Sequence, residues 1–296
     1  MLPEALSKGP FLTRDALAAG LTYHQLRSSR FRRIYRDVYV LDAVPDSLDL
    51  RCRAARLLLP RSAVFCGLTA ARLYGVPVPE HDTLHVALAP VLGTRPRIRG
   101  VQPHAHAHWR PAELRFLNGL LVPRPEPLFA ELAGLLSRIE LIIAGDHLTR
   151  SWTTPVAIGA WLAAARGCKG LPAARAALPH LEPETYSPME TRLRMLLVDG
   201  GLPRPLANAH VLDETGQRIA QPDLYYPQAR LTIDYDGAHH DRDPRQVRQD
   251  RDTMRLLALN GYLALRYDAR MVLGFPREIV AEVRNALAER SREGCR

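Results

Sequence analysis

The sequence predicts an α/β protein of several domains, and three observations support this fold class. The chain has 296 residues, 47% of them hydrophobic and 24% charged, which is ordinary for globular proteins and enough for about two or three domains. Helical and strand patterns alternate along the chain, and a Pro- and Glu-bearing stretch at about 179–187 lacks helical periodicity, as a linker does. We therefore expect an N-terminal domain over 1–44, a middle domain over 45–185 and a C-terminal domain over 186–296.

The first domain has the outline of a winged helix-turn-helix. Thr13 is a candidate N-cap for a short helix that Gly20 ends, and Thr22 is a candidate cap for a second helix. The run FRRIYRDVYV then alternates apolar and polar residues, which is typical of a β-hairpin. Helix, glycine turn, helix and hairpin in this order indicate a DNA-binding module.

Basic residues favour nucleic acid as the partner. The formal net charge is +9, and such a balance attracts polyanions, although only Lys8 and Lys169 are lysines and heavy use of arginine also follows from codon bias. In the first domain the functional interpretation is contact with the phosphates of double-stranded DNA, and the alternative is a solvated basic face. The arginines concerned are Arg27, Arg30, Arg32, Arg33 and Arg36.

The sequence of the middle domain predicts an α+β fold. SLDLRCRAARLLL and SAVFCGLTAARLYG predict helices, TLHVALAP and PRIRGVQPHAHAHW predict strands, and PEPLFAELAGLLSRIELIIAGDHLTR predicts a long helix or a helix pair. His104, His106 and His108 alternate and would share one face of a strand, either as a transition-metal site or as a half-exposed polar face. Neighbours on one face lie about 6.6 Å apart, which is far for a shared ion. We find no catalytic constellation in this domain.

The sequence of the C-terminal domain predicts secondary-structure elements in the order α-β-β-β-α-β, followed by a closing helix. SPMETRLRMLLVDGG is a helix capped by Ser187, with Pro188 in its first turn and Gly200 at its end. Strands around AHVLD, RIAQPDLYY and RLTIDYD follow, and then the helix DPRQVRQDRDTMRLLALNG, the strand YLALRY and the helix PREIVAEVRNALAERS.

Three aspartates stand on one face of the predicted strand pair. If the turn is Gln228-Ala229 or the wider Pro227–Arg230, Asp223 faces Asp234, and Asp236 shares their side because strand side chains alternate. Close carboxylates need a shared proton or a cation, and oxygen ligands favour Mg²⁺ or Mn²⁺. The alternative is a shifted register in which the aspartates point apart into solvent.

Other side chains near this cluster have two interpretations each. Glu190 is either a further carboxylate ligand or the last member of a capping box, S-x-x-E, that bonds back to the Ser187 backbone. His239 and His240 are either a general base beside the acids or bystanders in an exposed loop. On the following helix Arg248, Arg251 and Arg255 either neutralise substrate phosphates or form a solvated face.

These C-terminal motifs together resemble an uncharacterised bacterial domain family grouped with the very-short-patch-repair endonucleases of the PD-(D/E)XK nuclease superfamily. The resemblance covers roughly the last 110 residues. The motifs that carry it are S-x-x-E, the pair PD in a strand, an acid-x-D-G-x-x-H run and, further downstream, the pairs D-R, G-Y and L-R. It implies a restriction-endonuclease-like fold in which Glu190, Asp223 and Asp234 hold Mg²⁺ for attack of water on a phosphodiester. His240 would be a supporting polar or general-base residue.

One position departs from the superfamily pattern. Asp236 occupies the place of the superfamily lysine, and no lysine follows Lys169. Arginine cannot act as the base instead, because it stays protonated. The resemblance therefore leaves two outcomes: a site that uses His240, as the repair endonucleases use histidine near this place, or a nuclease fold that no longer cleaves.

The first two domains resemble the AbiEi-type antitoxins of abortive-infection systems. FLTRDALAAGLTYHQLRSSRFRRIYRDVYVL is similar to their winged helix, and SAVFCGLTAARLYGVPVP and ELAGLLSRIELIIAGDHLTR are similar to their second domain. The resemblance implies DNA binding as a transcriptional repressor, a possible cognate toxin as partner, and no catalysis. An interaction module of an antiphage system is a third possibility.

The remaining features exclude several classes of protein. Cys52, Cys66, Cys168 and Cys295 are scattered, so neither a disulfide framework nor a zinc knuckle is indicated. MLPEALSKGP lacks the apolar core of a signal peptide, and no run approaches the roughly 20 apolar residues of a membrane span. We expect a cytoplasmic DNA-binding protein: a Mg²⁺-dependent endonuclease, or a non-catalytic repressor with a degenerate nuclease fold.

Overall fold

The computed structural model describes residues 4–88, 97–105, 109–237 and 244–293, and within them the protein is a mixed α/β molecule. This confirms the predicted α/β class. The chain forms two compact units, the first of Met1–Ala144 with Pro155–Leu178 and the second of Gly145–Thr154 with Pro179–Arg296. The proposed boundary at 44/45 lies inside the first unit, and the one at 185/186 lies just inside the second; both stay predictions.

Helices and strands alternate in the described residues, but SAVFCGLTAARLYG, predicted as one helix, is the strand Val64–Phe65 followed by a helix that begins only at Gly67. The helices are α1 (Glu4–Ser7), α2 (Thr13–Ala18), α3 (Tyr23–Leu26), α4 (Leu48–Arg56), α5 (Gly67–Leu73), α6 (Pro125–Leu132), α7 (Arg138–Ser151), α8 (Pro155–Ala164), α9 (Leu171–Ala177), α10 (Pro188–Asp199), α11 (Pro244–Leu259), α12 (Ala269–Gly274) and α13 (Pro276–Glu293). The strands are β1 (Phe11–Leu12), β2 (Phe31–Tyr35), β3 (Val38–Leu41), β4 (Val64–Phe65), β5 (Leu84–Leu88), β6 (Val101–Ala105), β7 (Leu114–Leu117), β8 (Leu120–Pro123), β9 (Leu206–Ala207), β10 (Val211–Leu212), β11 (Arg218–Ala220), β12 (Leu224–Tyr226), β13 (Leu231–Asp236) and β14 (Leu263–Asp268).

The first unit begins with short helices and a three-stranded antiparallel sheet of order β1-β3-β2. Gly20 separates α2 from α3 with a φ of +87°, a left-handed conformation that glycine adopts at little cost. Thr22 caps α3 as predicted, because its hydroxyl accepts from the Gln25 N–H and the Gln25 side chain accepts from the Thr22 N–H. The prediction for Thr13 was wrong: Leu12 is the N-cap of α2, and Thr13 is its buried first residue.

The rest of the first unit combines helices with a second sheet of order β4-β5-β6 and the hairpin β7–β8. The stretch predicted as a long helix or a helix pair forms two helices, α6 and α7. His104 lies on β6, and its ring contacts that of His85 at a tilt of 37° with centroids 4.8 Å apart. His106 and His108 lie outside the described residues, so the shared-face prediction is not tested.

In the second unit a four-stranded sheet of order β14-β13-β12-β9 lies between helices. Ser187 caps α10 through its hydroxyl, Pro188 begins the helix and Gly200 ends it, as predicted. On one face of the sheet Leu224 and Ile233 pack against α10 and α13 in the main core of the unit. On the other face Tyr225 packs against Leu257 of α11. The predicted polar face is thus partly covered by α11.

Several details of the second unit differ from the sequence prediction, among them the strand β9 and the helix α12, which were not predicted. RIAQPDLYY forms two strands, β11 and β12, because Pro222 between them has no N–H to donate to a ladder. The stretch 179–187 is no linker, since Leu181 and Thr185 are buried and the Glu182 N–H donates to Asp146 Oδ1 at 2.7 Å. Arg194, fully buried, adds a 2.7 Å ion pair to the same aspartate.

Among the described residues, no helix has both the length and the apolar character needed to cross a lipid bilayer.

Candidate active site

Asp223 and Asp234 meet where β12 and β13 reach one end of the sheet. Leu224 pairs with Ile233 and Tyr226 with Leu231, which is the register that the Pro227–Arg230 turn predicts, and its extension places Asp223 opposite Asp234. Arg230 closes that turn in the left-handed conformation, with φ +44°.

Backbone hydrogen bonds hold both carboxylates in place. The Asp223 N–H donates to Asp234 Oδ1 at 3.2 Å, and the Tyr235 N–H donates to Asp223 Oδ2 at 2.6 Å. Among the described residues no group donates to the second oxygen of either carboxylate. Each aspartate therefore keeps one oxygen for a ligand, a water or a proton.

The surroundings disfavour two negative charges at this place. Burial raises the pKa of Asp223 from 3.8 to about 7, the charges of Glu190 and Asp234 raise it further, and the Tyr235 N–H opposes the shift. Burial also raises the pKa of Asp234, against the Asp223 N–H and the charge of Arg266. A bound cation would relieve this repulsion, because it favours the charged form of both groups.

Both aspartates line a cleft of about 480 Å³. One wall is β11 with Arg218, and the other is α11 with Asp250 and Thr253. The lining is largely polar, as a site for a charged group requires.

Glu190 lies behind the pair and is buried, with 8% of its surface exposed. Its Oε2 accepts from the Tyr186 N–H at 2.9 Å and from Asn208 Nδ2 at 3.0 Å. The predicted bond from the Ser187 backbone was wrong: the Ser187 hydroxyl accepts from the Glu190 N–H at 3.2 Å, but the Glu190 carboxylate accepts from Tyr186 instead. The negative charge of Glu190 raises the pKa of both Asp223 and Asp234. Its role as a third metal ligand stays a prediction.

Asp236 also lines the cleft, two residues beyond Asp234 and on the same side of β13. Its neighbour in the parallel pair β13–β14 is Asp268, which caps α12 by accepting from the Met271 N–H at 2.8 Å. This end of the cleft is therefore acidic on both strands. His239 and His240 lie outside the described residues, so the predicted general base is not tested.

The donor chemistry of the cleft fits a hard divalent cation, although the described ligand set is small. Two half-buried carboxylates with one free oxygen each are the ligands that Mg²⁺ and Mn²⁺ prefer. Within the ranges that the structure describes, no three His, Cys, Asp or Glu side chains form a group able to hold a metal ion. Asp223 and Asp234 would be the protein's contribution, with water or substrate oxygens completing the shell.

The predicted arginines of α11 do not face this cleft. Arg248, Arg251 and Arg255 are exposed on a face of the helix different from the one that carries Asp250 and Leu257. They remain available to a long ligand that extends beyond the cleft.

The five N-terminal arginines differ in their surroundings. Arg27, Arg33 and Arg36 are exposed, whereas Arg32 is held by a 3.0 Å hydrogen bond to the Val44 carbonyl and an ion pair to Asp46. Arg30 is exposed with its guanidinium 5.8 Å from the ring of Phe31. Four of the five are thus accessible to a phosphate backbone, and Arg32 has a structural contact.

Sequence reasoning missed three residues of the cleft, Arg218, Asp250 and Arg266. Arg266 lies in the run YLALRY, which predicts a strand, and its L-R pair belongs to the resemblance without a role assigned to the arginine. The parallel pairing of β14 with β13 makes Arg266 the partner of Asp234, and no local pattern specifies that pairing.

Comparison with known proteins finds relatives of undefined function. Two proteins of Mycobacterium tuberculosis, one from strain CDC 1551 / Oshkosh and one from strain ATCC 25618 / H37Rv, are each described as uncharacterized. Each is 28% identical to this chain over 228 residues, which are 77% of this chain and 81% of the relative. No family model matches the sequence.

Proposed function

We propose that this is a DNA-binding protein whose C-terminal part, 186–296, is a Mg²⁺-dependent endonuclease with a PD-(D/E)XK-type fold. One observation carries the proposal: Asp223 and Asp234 stand side by side in a polar cleft, each with a raised pKa and a free oxygen. The order of α10, a run of strands and the crossover helix α11 along the chain supports the proposal.

The reaction is hydrolysis of a phosphodiester. A water oxygen forms a bond to phosphorus, one P–O ester bond breaks, and a proton passes from the water to the leaving oxygen by way of solvent or a base. A divalent cation supplies positive charge that lowers the pKa of water and stabilises the charge developing on the phosphate. Asp223 and Asp234 would hold the cation, and the Tyr235 and Asp223 N–H groups fix the two carboxylates that do so.

The N-terminal part, 1–44, is proposed to dock on double-stranded DNA as a winged helix. α2, the Gly20 turn, α3 and the hairpin β2–β3 follow in the required order. The exposed Arg27, Arg33 and Arg36 supply phosphate contacts on α3 and the hairpin.

A second candidate function is a non-catalytic, antitoxin-like repressor with a possible cognate toxin. It is favoured by Asp236 at the lysine position and by the small described ligand set, since a cleft without a full set of acids and a base binds without cleaving. In this case the same N-terminal arginines bind operator DNA, and the C-terminal fold is a scaffold.

Incubation of the purified protein with plasmid and with short duplexes, in Mg²⁺, Mn²⁺ or EDTA, separates the two functions. We expect nicking that requires metal and disappears in Asp234→Ala. Asp199→Ala, at the exposed end of α10, is the matched control and should cleave as the wild type does. Cleavage that survives Asp234→Ala contradicts the site, and DNA binding without metal-dependent cleavage of any substrate supports the repressor.

A further inference from the structure

Arg266 stands directly beside the acidic pair. In the parallel pair β13–β14 it is the partner of Asp234, so the two side chains project to the same side of the sheet. It lines the cleft together with both aspartates, and one third of its side chain is exposed. In the sequence it is the arginine of the downstream L-R pair, to which the resemblance assigns no role.

The guanidinium of Arg266 has most of its hydrogen-bonding capacity unused. Its one ion pair among the described residues is with Asp250 of α11 at 3.8 Å, which is longer than a hydrogen bond. A guanidinium carries five N–H donors. Arg218, on the opposite wall of the cleft, has a single described polar contact, to His210 Nε2 at 3.4 Å. Two cations with unused donors therefore face a cleft that its four aspartates would otherwise make repulsive to an anion.

We propose that Arg266, assisted by Arg218 across the cleft, binds a phosphodiester group of DNA next to Asp223 and Asp234. The fork of a guanidinium matches two phosphate oxygens, and its charge offsets the repulsion between the aspartates and the substrate. Because arginine stays protonated, Arg266 holds the phosphate and does not act as a base. Asp250 is the partner that Arg266 gives up when DNA enters. This assignment rests on the proposed function and names its substrate-holding residue.

The test compares Arg266→Gln with Arg266→Lys in the full chain. The probe is a fluorescein-labelled duplex in EDTA, with binding followed by anisotropy across a salt series. Arg266→Gln should weaken binding about tenfold or more, the loss expected for a charge-assisted contact. It should also lower the slope of log K against log salt by about 0.9. Arg266→Lys should keep the slope and recover part of the affinity.

The matched control is Arg277→Gln, which removes the same charge from an exposed position on α13, on the other face of the sheet. It should bind as the wild type does. Asp250→Asn should tighten binding by about two- to fivefold, the range of an exposed ion pair, and this gain should vanish in the Arg266→Gln background.

The outcomes distinguish this assignment from the proposed function. Unchanged affinity and salt slope in Arg266→Gln, or an equal loss in Arg277→Gln, overturns the phosphate site even if Asp234→Ala abolishes cleavage. A loss specific to Arg266→Gln supports the phosphate site even if the wild type cleaves no DNA. Where the wild type cleaves, kcat/KM should fall in Arg266→Gln while the melting temperature stays unchanged.

Discussion

Asp223→Asn should make the metal-free protein more stable at alkaline pH and should abolish metal-dependent cleavage. The substitution removes a buried charge but keeps the size of the side chain. The amide oxygen can still accept the Tyr235 N–H bond that Asp223 Oδ2 accepts at 2.6 Å. A gain in stability together with a loss of activity is expected of a site whose charges repel each other until a ligand binds.

The magnitude follows from the shift of the pKa. Burial raises the pKa of Asp223 from 3.8 to about 7, and each unit corresponds to about 1.4 kcal/mol between the two protonation states. The shifted pKa therefore lowers the free energy of unfolding of the wild type by about 4 kcal/mol at high pH. Water entering the cleft reduces this cost, so we expect Asp223→Asn to be more stable than the wild type by roughly 2 to 4 kcal/mol at pH 8.

The pH dependence has a definite sign. Between pH 3.8 and about 7 the folded protein holds a proton on Asp223 that the unfolded chain has released, so wild-type stability falls as the pH rises through this window. The amide that replaces the carboxyl in Asp223→Asn does not titrate. The stability difference between variant and wild type should accordingly be small at pH 4, grow up to pH 7 and stay constant above it.

Urea denaturation in EDTA at pH 4, 6 and 8 measures this difference, with Asp199→Asn as the control for loss of one exposed charge. Addition of Mg²⁺ at pH 8 should then raise the melting temperature of the wild type more than that of Asp223→Asn. A variant that is no more stable than the wild type at pH 8, or whose gain is the same at every pH, would refute the assignment of a buried, charged Asp223.

Further substitutions test other parts of the molecule. Asp146→Asn should cost about 3 to 5 kcal/mol in urea denaturation, because it leaves the fully buried Arg194 without its 2.7 Å partner; a cost below about 1 kcal/mol would contradict this. Gly170→Ala should cost roughly 1 to 3 kcal/mol and lower the melting temperature, because its Cβ would collide with a backbone carbonyl of α6. Arg33→Ala should lower the salt slope of duplex binding by about 0.9, whereas Arg32→Ala should chiefly lower the melting temperature; equal effects on DNA binding would argue against the proposed docking face.

Local patterns predicted much of the second unit. Ser187, Pro188 and Gly200 mark the ends of α10, because capping depends on residues next to each other in the chain. The register of β12 and β13 follows from a short turn and the alternation of apolar residues, which is why Asp223 and Asp234 could be paired from the sequence. An Asn118-Gly119 turn between β7 and β8 carried the same kind of signal for a hairpin that the sequence reading missed.

Long-range contacts were not predictable in this way. The stretch 179–187 reads as a linker because its own residues lack periodicity, yet Asp146 and Arg194 bind its backbone from two different helices. The partners of Glu190 are likewise fixed by the fold, since Asn208 lies 18 residues further along the chain.

By itself the sequence determined the α/β class, the ends of α10 and the opposition of two aspartates, all of which depend on neighbours in the chain. Only the tertiary structure decided that Arg266 stands beside Asp234, that α11 partly covers the supposed polar face and that its three arginines face away from the cleft. The physical reason is that parallel pairing and helix docking are set by the burial of apolar side chains distant in sequence, and no short motif encodes it.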